Sequence, residues 1–211
     1  MVIELPREKR FEVKGGYIVV ARIEPQCEQS PLLTEADCDY LVTLLSPTRR
    51  AAWSTCRHIL RRELGAEASL RYVGSGALIL ERAVADVAFV SISHSAEWVA
   101  VMFSKGRCGV DVESVERNFS RVASRYISLQ ERQQFAEAVG PLFEAIMWSA
   151  EEALYKYGGQ EGLDFIEDMV VTDINPHEQT LQAELYGVAA PIVHYHLFDN
   201  QILCYLNSGG Q

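Results

Sequence analysis

The segment Cys108-Gly-Val-Asp-Val-Glu113 alternates with the two-residue period of a β-strand, so Asp111 and Glu113 leave the backbone on the same side. Any fold that covers that side must neutralise two carboxylates, because burial disfavours their charged forms. A hard divalent cation does this. Magnesium takes oxygen ligands in a near-octahedral shell, in which a few carboxylates are completed by water and substrate phosphates. Taken alone, the same D-x-E pair is also what the exposed polar face of an edge strand looks like.

The flanking chain supplies the rest of a sheet. Residues 17–23 are a β-branched run that predicts a strand, and further strands are predicted around 69–73, 77–81, 87–93 and 98–103, the last two separated by the corner Ser93-His94-Ser95. Helices punctuate them. Thr34 is placed to cap a short helix reaching about Leu45. Ser46 and Pro47 read as the N-cap and N1 proline of a firmer helix, with Trp53, Cys56, Leu60 and Leu64 on one face and Gly65 as its stop. Ser128-Leu-Gln-Glu131 is a capping-box pattern. Pro141 is expected to open a longer helix in which Phe143, Ile146, Met147, Ala150, Ala153, Leu154 and Tyr157 keep helical spacing up to Gly158-Gly159. The remainder predicts a β-meander closing on a hairpin, 194–198 and 201–206, across a two-residue Asp199-Asn200 turn. The elements divide near residue 105 into halves, 1–105 and 106–211, that each mix strands and helices, so the expected class is α+β.

Composition narrows the partners. A chain of 211 residues, 48% hydrophobic and 23% charged, has core enough for one domain or two of about 100 residues each. Its formal net charge of −10 repels phosphate backbones and argues against a nucleic-acid partner. Arg49, Arg50, Arg57, Arg61 and Arg62 nevertheless cluster, and make a local anion site possible. Arg50, Arg57 and Arg61 fall on one helix face, which is also how a solvated surface reads. No apolar run approaches the roughly 20 residues that span a bilayer. The start Met1-Val-Ile-Glu-Leu-Pro6 has neither a basic nor an apolar signal region, so no membrane partner and a cytoplasmic location are expected. The five cysteines are odd in number, widely spaced and free of any C-x-x-C pair, which predicts reduced, mostly buried thiols.

Beyond Asp111 and Glu113, Glu152 on the long helix is a candidate third ligand, and Lys156 one turn later points to the same side. A surface ion pair worth about 0.3–0.5 kcal/mol is the plainer reading of those two. Glu131 has a ready explanation as the N3 member of its capping box. His94, between two serines at a strand end, is either a polar turn residue or a phosphate ligand.

These pieces occur in one order with particular neighbours. Ile92-Ser-His-Ser95, Gly109-Val-Asp-Val-Glu113, Glu131 and Trp148-Ser-Ala-Glu-Glu-Ala-Leu-Tyr-Lys156 together resemble the signature of the Sfp-type 4′-phosphopantetheinyl transferases: I-S-H-S, G-(I/V)-D-(I/V)-E, F-x-x-x-E and W-(S/C)-x-K-E-x-x-x-K. The arginine helix resembles the family's early R-R…W…R segment. The resemblance implies two similar α/β halves about a pseudo-two-fold axis, coenzyme A in the cleft between them, and hence a monomer. It implies that Asp111, Glu113 and Glu152 hold Mg2+ against the coenzyme A pyrophosphate. Ser93, His94 and Lys156 would contact the phosphates, and Arg57, with Arg49 or Arg50 nearby, would meet the 3′-phosphate, a task that suits the planar guanidinium fork. The implied reaction is attack by a serine of an acyl or peptidyl carrier protein on the phosphate bearing the pantetheine arm, releasing adenosine 3′,5′-bisphosphate. Glu131, Lys156 and His94 form the implied catalytic group, with Glu131 taking the serine proton directly or through water. Fatty-acid, polyketide or nonribosomal peptide synthesis is the implied setting.

Two positions depart from the pattern. The lysine of W-x-x-K-E is Glu151 here, and a G-K-P segment common upstream is Gly76-Ala-Leu78. A reversed charge facing the ligand matters by about 3 kcal/mol per unit charge at roughly 6 Å and an effective dielectric near 20, whereas one facing water is screened. Glu151→Lys is accordingly expected to preserve or raise transfer. The departures motivate an alternative, a non-catalytic or weakened descendant that binds coenzyme A or carrier protein. A metal phosphoesterase using the same acidic cluster is a further one.

Overall fold

The computed structural model describes residues 3–68, 70–73, 77–84 and 86–209. The N-terminal elements are β1 (Lys9–Val13), β2 (Gly16–Arg22), α1 (Glu35–Thr43), α2 (Pro47–Leu64), β3 (Leu70–Val73), β4 (Ala77–Val84), β5 (Val87–His94) and β6 (Trp98–Ser104). They are followed by β7 (Cys108–Ser114), α3 (Leu129–Val139), α4 (Phe143–Gly158), β8 (Met169–Asn175), β9 (Thr180–Leu185), β10 (Val188–Ala189), β11 (Val193–Phe198) and β12 (Gln201–Asn207). One sheet has the order β1-β2-β6-β5-β4-β3, and the other β10-β9-β11-β12-β7 with β8 also on β9. The mixed α/β composition matches the expected class.

The alternation of side chains turns these sheets into layers. In β6, Val99, Val101 and Phe103 join the core under α2 with Cys56, Ile59 and Leu60. The intervening Trp98, Ala100 and Met102 join a second core with Cys108, Val110 and Val112 of β7 and Leu203 of β12. On the far side of β12, Ile202, Cys204 and Leu206 pack with Met147, Ala150 and Leu154 of α4. The layers thus run α2, first sheet, second sheet, α4. Both faces of β6 are covered, which is why it reads as an unbroken apolar run rather than an alternating one. Each large side chain buried in this way contributes roughly 1.5–3 kcal/mol.

Most helix ends fall where the caps require. Thr34 and Asp37 close a capping box on α1. Ser46 caps α2 with Pro47 in its first turn, and Gly65 (φ 83°) ends it. Ser128 and Glu131 close the box on α3. The start of α4 differs from expectation, because Pro141 sits in a 3-10 turn, Gly140–Leu142, and the α-helix begins at Phe143. The last hairpin turns on Asp199 (φ 43°) and Asn200 (φ 58°), the paired positive φ values of a type I′ turn. Strand β1 was not anticipated, since Lys9-Arg-Phe-Glu-Val13 is an edge strand whose second and fourth residues are exposed. Four of the five cysteines are buried and all are free; Cys38 is exposed.

One glycine sets the distance between strand and helix at the site. A Cβ on Gly109 would lie 1.9 Å from the Ala153 carbonyl oxygen, so β7 and α4 approach as closely as they do because that position has no side chain.

Candidate active site

Val110 pairs with Tyr205 in the β7–β12 register. Its N–H donates to the Ser91 hydroxyl oxygen at 3.0 Å, and its carbonyl accepts from Lys156 Nζ at 2.9 Å. These contacts satisfy backbone groups of the strand that β12 leaves unpaired, and they bring β5, β7 and α4 together at one point. Asp111 lies there, 5% exposed. Its Oδ1 accepts from the Ser93 hydroxyl at 2.7 Å and from Lys156 Nζ at 3.0 Å. Its Oδ2 is buried with no hydrogen-bond partner among the described residues.

Asp111, Glu113, Glu152, Lys156, Ser93 and His94 line one cleft of about 310 Å³, together with Arg117 and Trp148. Three carboxylates therefore share a cavity with the basic side chains of Lys156 and Arg117. Burial is the main reason that Glu152 holds its proton to higher pH than an ordinary glutamate; Lys156 and Arg117 oppose the shift, and Asp111 and Glu113 add to it. Glu113 accepts from the Ser114 N–H at 2.9 Å through Oε1, and its Oε2 is in close contact with Arg117. Among the described residues, no three His, Cys, Asp or Glu side chains are set to hold a metal ion by themselves. A second hollow of about 330 Å³ shares His94, Glu113 and Arg117 with the first and extends it to Arg49 and Thr48 at the start of α2.

Comparison with family models matches residues 107–205 to the 4′-phosphopantetheinyl transferase superfamily. The matched stretch belongs to that superfamily. It carries β7, α4 and all three carboxylates of the cleft, and the superfamily it matches is one of phosphopantetheinyl transferases, which use coenzyme A and typically a divalent metal. No curated protein matches the chain. No helix among the described residues is long and apolar enough to cross a membrane.

Not every anticipated residue faces the cleft. Arg49 lines its extension. Arg50 pairs with Glu28 at 3.1 Å. Arg57 bonds Asp37 at 3.1 Å and lies over the Trp53 ring at 4.8 Å. Arg61 holds the same Asp37 at 2.7 Å, so this arginine face ties α2 to α1. Burial raises the Asp37 pKa, but the bonds from Arg61 and Thr34 more than offset it and leave it below the usual range. Glu131 is 4% exposed and outside both hollows. It accepts from the Ser128 N–H and hydroxyl at 2.8 and 2.7 Å and from the Val171 N–H at 2.9 Å, capping α3 and tethering β8.

Glu151 faces neither ligand nor water. It is fully buried, and neither carboxyl oxygen has a partner among the described residues. Burial drives its pKa well above the ordinary value, with Glu131 and Glu152 adding to the effect. Gly76 lies outside the described residues, as does the side chain of Ala77. Arg117 was missed because it belongs to no motif. Its position depends on the turn after β7, where Val115 N–H donates to the Asn200 carbonyl at 3.0 Å.

Proposed function

We propose that the chain transfers the 4′-phosphopantetheine group of coenzyme A to a serine of an acyl or peptidyl carrier protein, with Mg2+ held by Asp111, Glu113 and Glu152. The observation that carries this reading is the buried Oδ2 of Asp111, without a partner among the described residues, in a residue that lines a cleft with Glu152, Glu113 and Lys156. A buried carboxylate oxygen without a donor is costly, and a cation is the partner that its charge calls for. The donors are all carboxylate oxygens, the set that suits a hard divalent ion, with phosphate oxygens and water to complete the shell. When bound, such an ion offsets negative charge on the phosphates.

The chain's own groups then divide the work. Ser93 and Lys156 fix the Asp111 carboxylate through its other oxygen, so that Oδ2 is presented in one orientation. Lys156 and His94 line the cleft and would meet the phosphates there, and Arg49, which lines the extension, would meet the nucleotide's 3′-phosphate. In the transfer, the carrier serine oxygen bonds to the phosphorus bearing the pantetheine arm. The bond from that phosphorus to the bridging oxygen breaks, and adenosine 3′,5′-bisphosphate leaves. Glu131 is the family position for receiving the serine proton, and to do so it must become reachable from the cleft, since it is buried outside both hollows. The halves 1–105 and 106–211 each pair a sheet with a long helix, which supports the reading of a pseudo-two-fold molecule; a cytoplasmic monomer belongs to the same proposal.

The test is the mass of an apo carrier protein incubated with chain, coenzyme A and Mg2+. The parent adds one phosphopantetheine, and Asp111→Ala adds none. Coenzyme A binding without any mass gain on several carriers favours a non-catalytic descendant instead, and phosphate release without carrier modification favours a phosphoesterase.

A further inference from the structure

Arg117 has an unusual set of attachments for a residue outside every motif. Its backbone is pinned: Arg117 N–H donates to the Ser114 carbonyl at 3.2 Å, and the neighbouring Glu116 carboxylate accepts from Asn200 Nδ2 at 3.0 Å. Its side chain is freer, 43% exposed, with Glu113 as its ionic partner among the described residues. The guanidinium lies 4.8 Å from the Trp148 ring centre and 5.4 Å from that of Phe119, so aromatic faces as well as the Glu113 carboxylate hold it. It lines both hollows, the acidic one and the one that reaches Arg49.

Two absences elsewhere give this arginine its meaning. The site lacks a ready metal cage among the described residues, and Glu113 is the carboxylate whose outer oxygen Arg117 occupies. The position at which the resembling family carries a lysine is Glu151, buried away from the cleft. We propose that Arg117 is a latch and phosphate receptor: it neutralises Glu113 while the cleft is empty, and turns onto a ligand pyrophosphate once a divalent cation takes that carboxylate. It thereby supplies the cation that position 151 does not. Guanidinium suits both states, since carboxylate and phosphate accept the same two-pronged contact. The inference rests on the magnesium and coenzyme A reading given above, and concerns a residue that reading does not use.

The latch makes two affinities move in opposite directions. Titration calorimetry with MnCl2 alone, and with coenzyme A in saturating Mn2+, reads them separately from turnover. Arg117→Ala frees Glu113 and removes a positive charge, so Mn2+ binds roughly three- to tenfold more tightly. Coenzyme A then binds at least about tenfold more weakly, because a charge-assisted contact to phosphate is gone. Arg117→Lys, which keeps the charge without the fork, recovers part of the coenzyme A affinity, and it carries the test if the alanine variant does not fold. Both affinities falling together, or neither changing, overturns the role of Arg117 while leaving the transferase reading in place. A parent chain that binds neither Mn2+ nor coenzyme A overturns that reading, and the latch with it.

Discussion

At position 151 the chain buries a carboxyl group that no described residue solvates. Its raised pKa means that the neutral form is the one the core accepts, with desolvation as the chief cause. Such a group costs stability, and replacing it by an apolar side chain of similar length removes the cost. Glu151→Met is expected to stabilise the chain by about 1–3 kcal/mol in urea unfolding; a destabilised variant would show that Glu151 has a partner its surroundings do not reveal. The same burial revises the expectation for Glu151→Lys, which now places an ammonium in the core and should lower stability. Spacing along α4 put position 151 beside Glu152, but one turn of a helix points successive residues about 100° apart. Glu152 meets the cleft and Glu151 the interior.

At the level of elements, caps were the most readable feature, because they depend on residues three or four apart. Thr34, Ser46, Ser128 and Gly65 each act where their type predicts. The arginine face of α2 was readable as a face but not as to its partner, since Asp37, which takes Arg57 and Arg61, belongs to another helix. Glu131 likewise has a local role that sequence supplies and a remote one, to Val171, that it does not. Between β7 and α4 the deciding residue is Gly109. Gly109→Ala drives a methyl into the Ala153 carbonyl and should cost about 1–3 kcal/mol. It should also weaken coenzyme A binding, because strand and helix must part where Lys156 reaches Val110. A chain with parental thermal midpoint and affinity would show that the close approach is dispensable.

Across the whole molecule, the two sheets meet at an aromatic seam as well as an aliphatic core. Phe11 of β1 stacks on His196 at 5.7 Å, and Tyr205 stacks on His196 and His194 at 5.8 and 5.2 Å. Burial lowers the pKa of both histidines, and for His194 the neighbouring His196 lowers it further. Below about pH 6.5, the ordinary histidine value, the unfolded chain therefore binds protons that the folded chain refuses. Stability from this seam is present above that pH and declines as pH falls through the folded values. His194→Phe keeps the ring and removes one proton site. Between pH 7.5 and 5.5 its unfolding midpoint should fall less than the parent's, and an equal or steeper fall would remove the seam as the cause.

Local chemistry controls the features that can be read along the chain: the alternation that puts Asp111 and Glu113 on one side of β7, the capped helices, the final hairpin and the motif order on which the family resemblance rests. Tertiary structure alone decided which of those groups meet. Lys156 reaches Asp111 across 45 residues, Ser93 reaches the same carboxylate across 18, Glu151 turns into the core, and Arg117 enters the cleft from a turn held by a distant hairpin. Such encounters depend on how layers stack, and no periodicity within one segment encodes them.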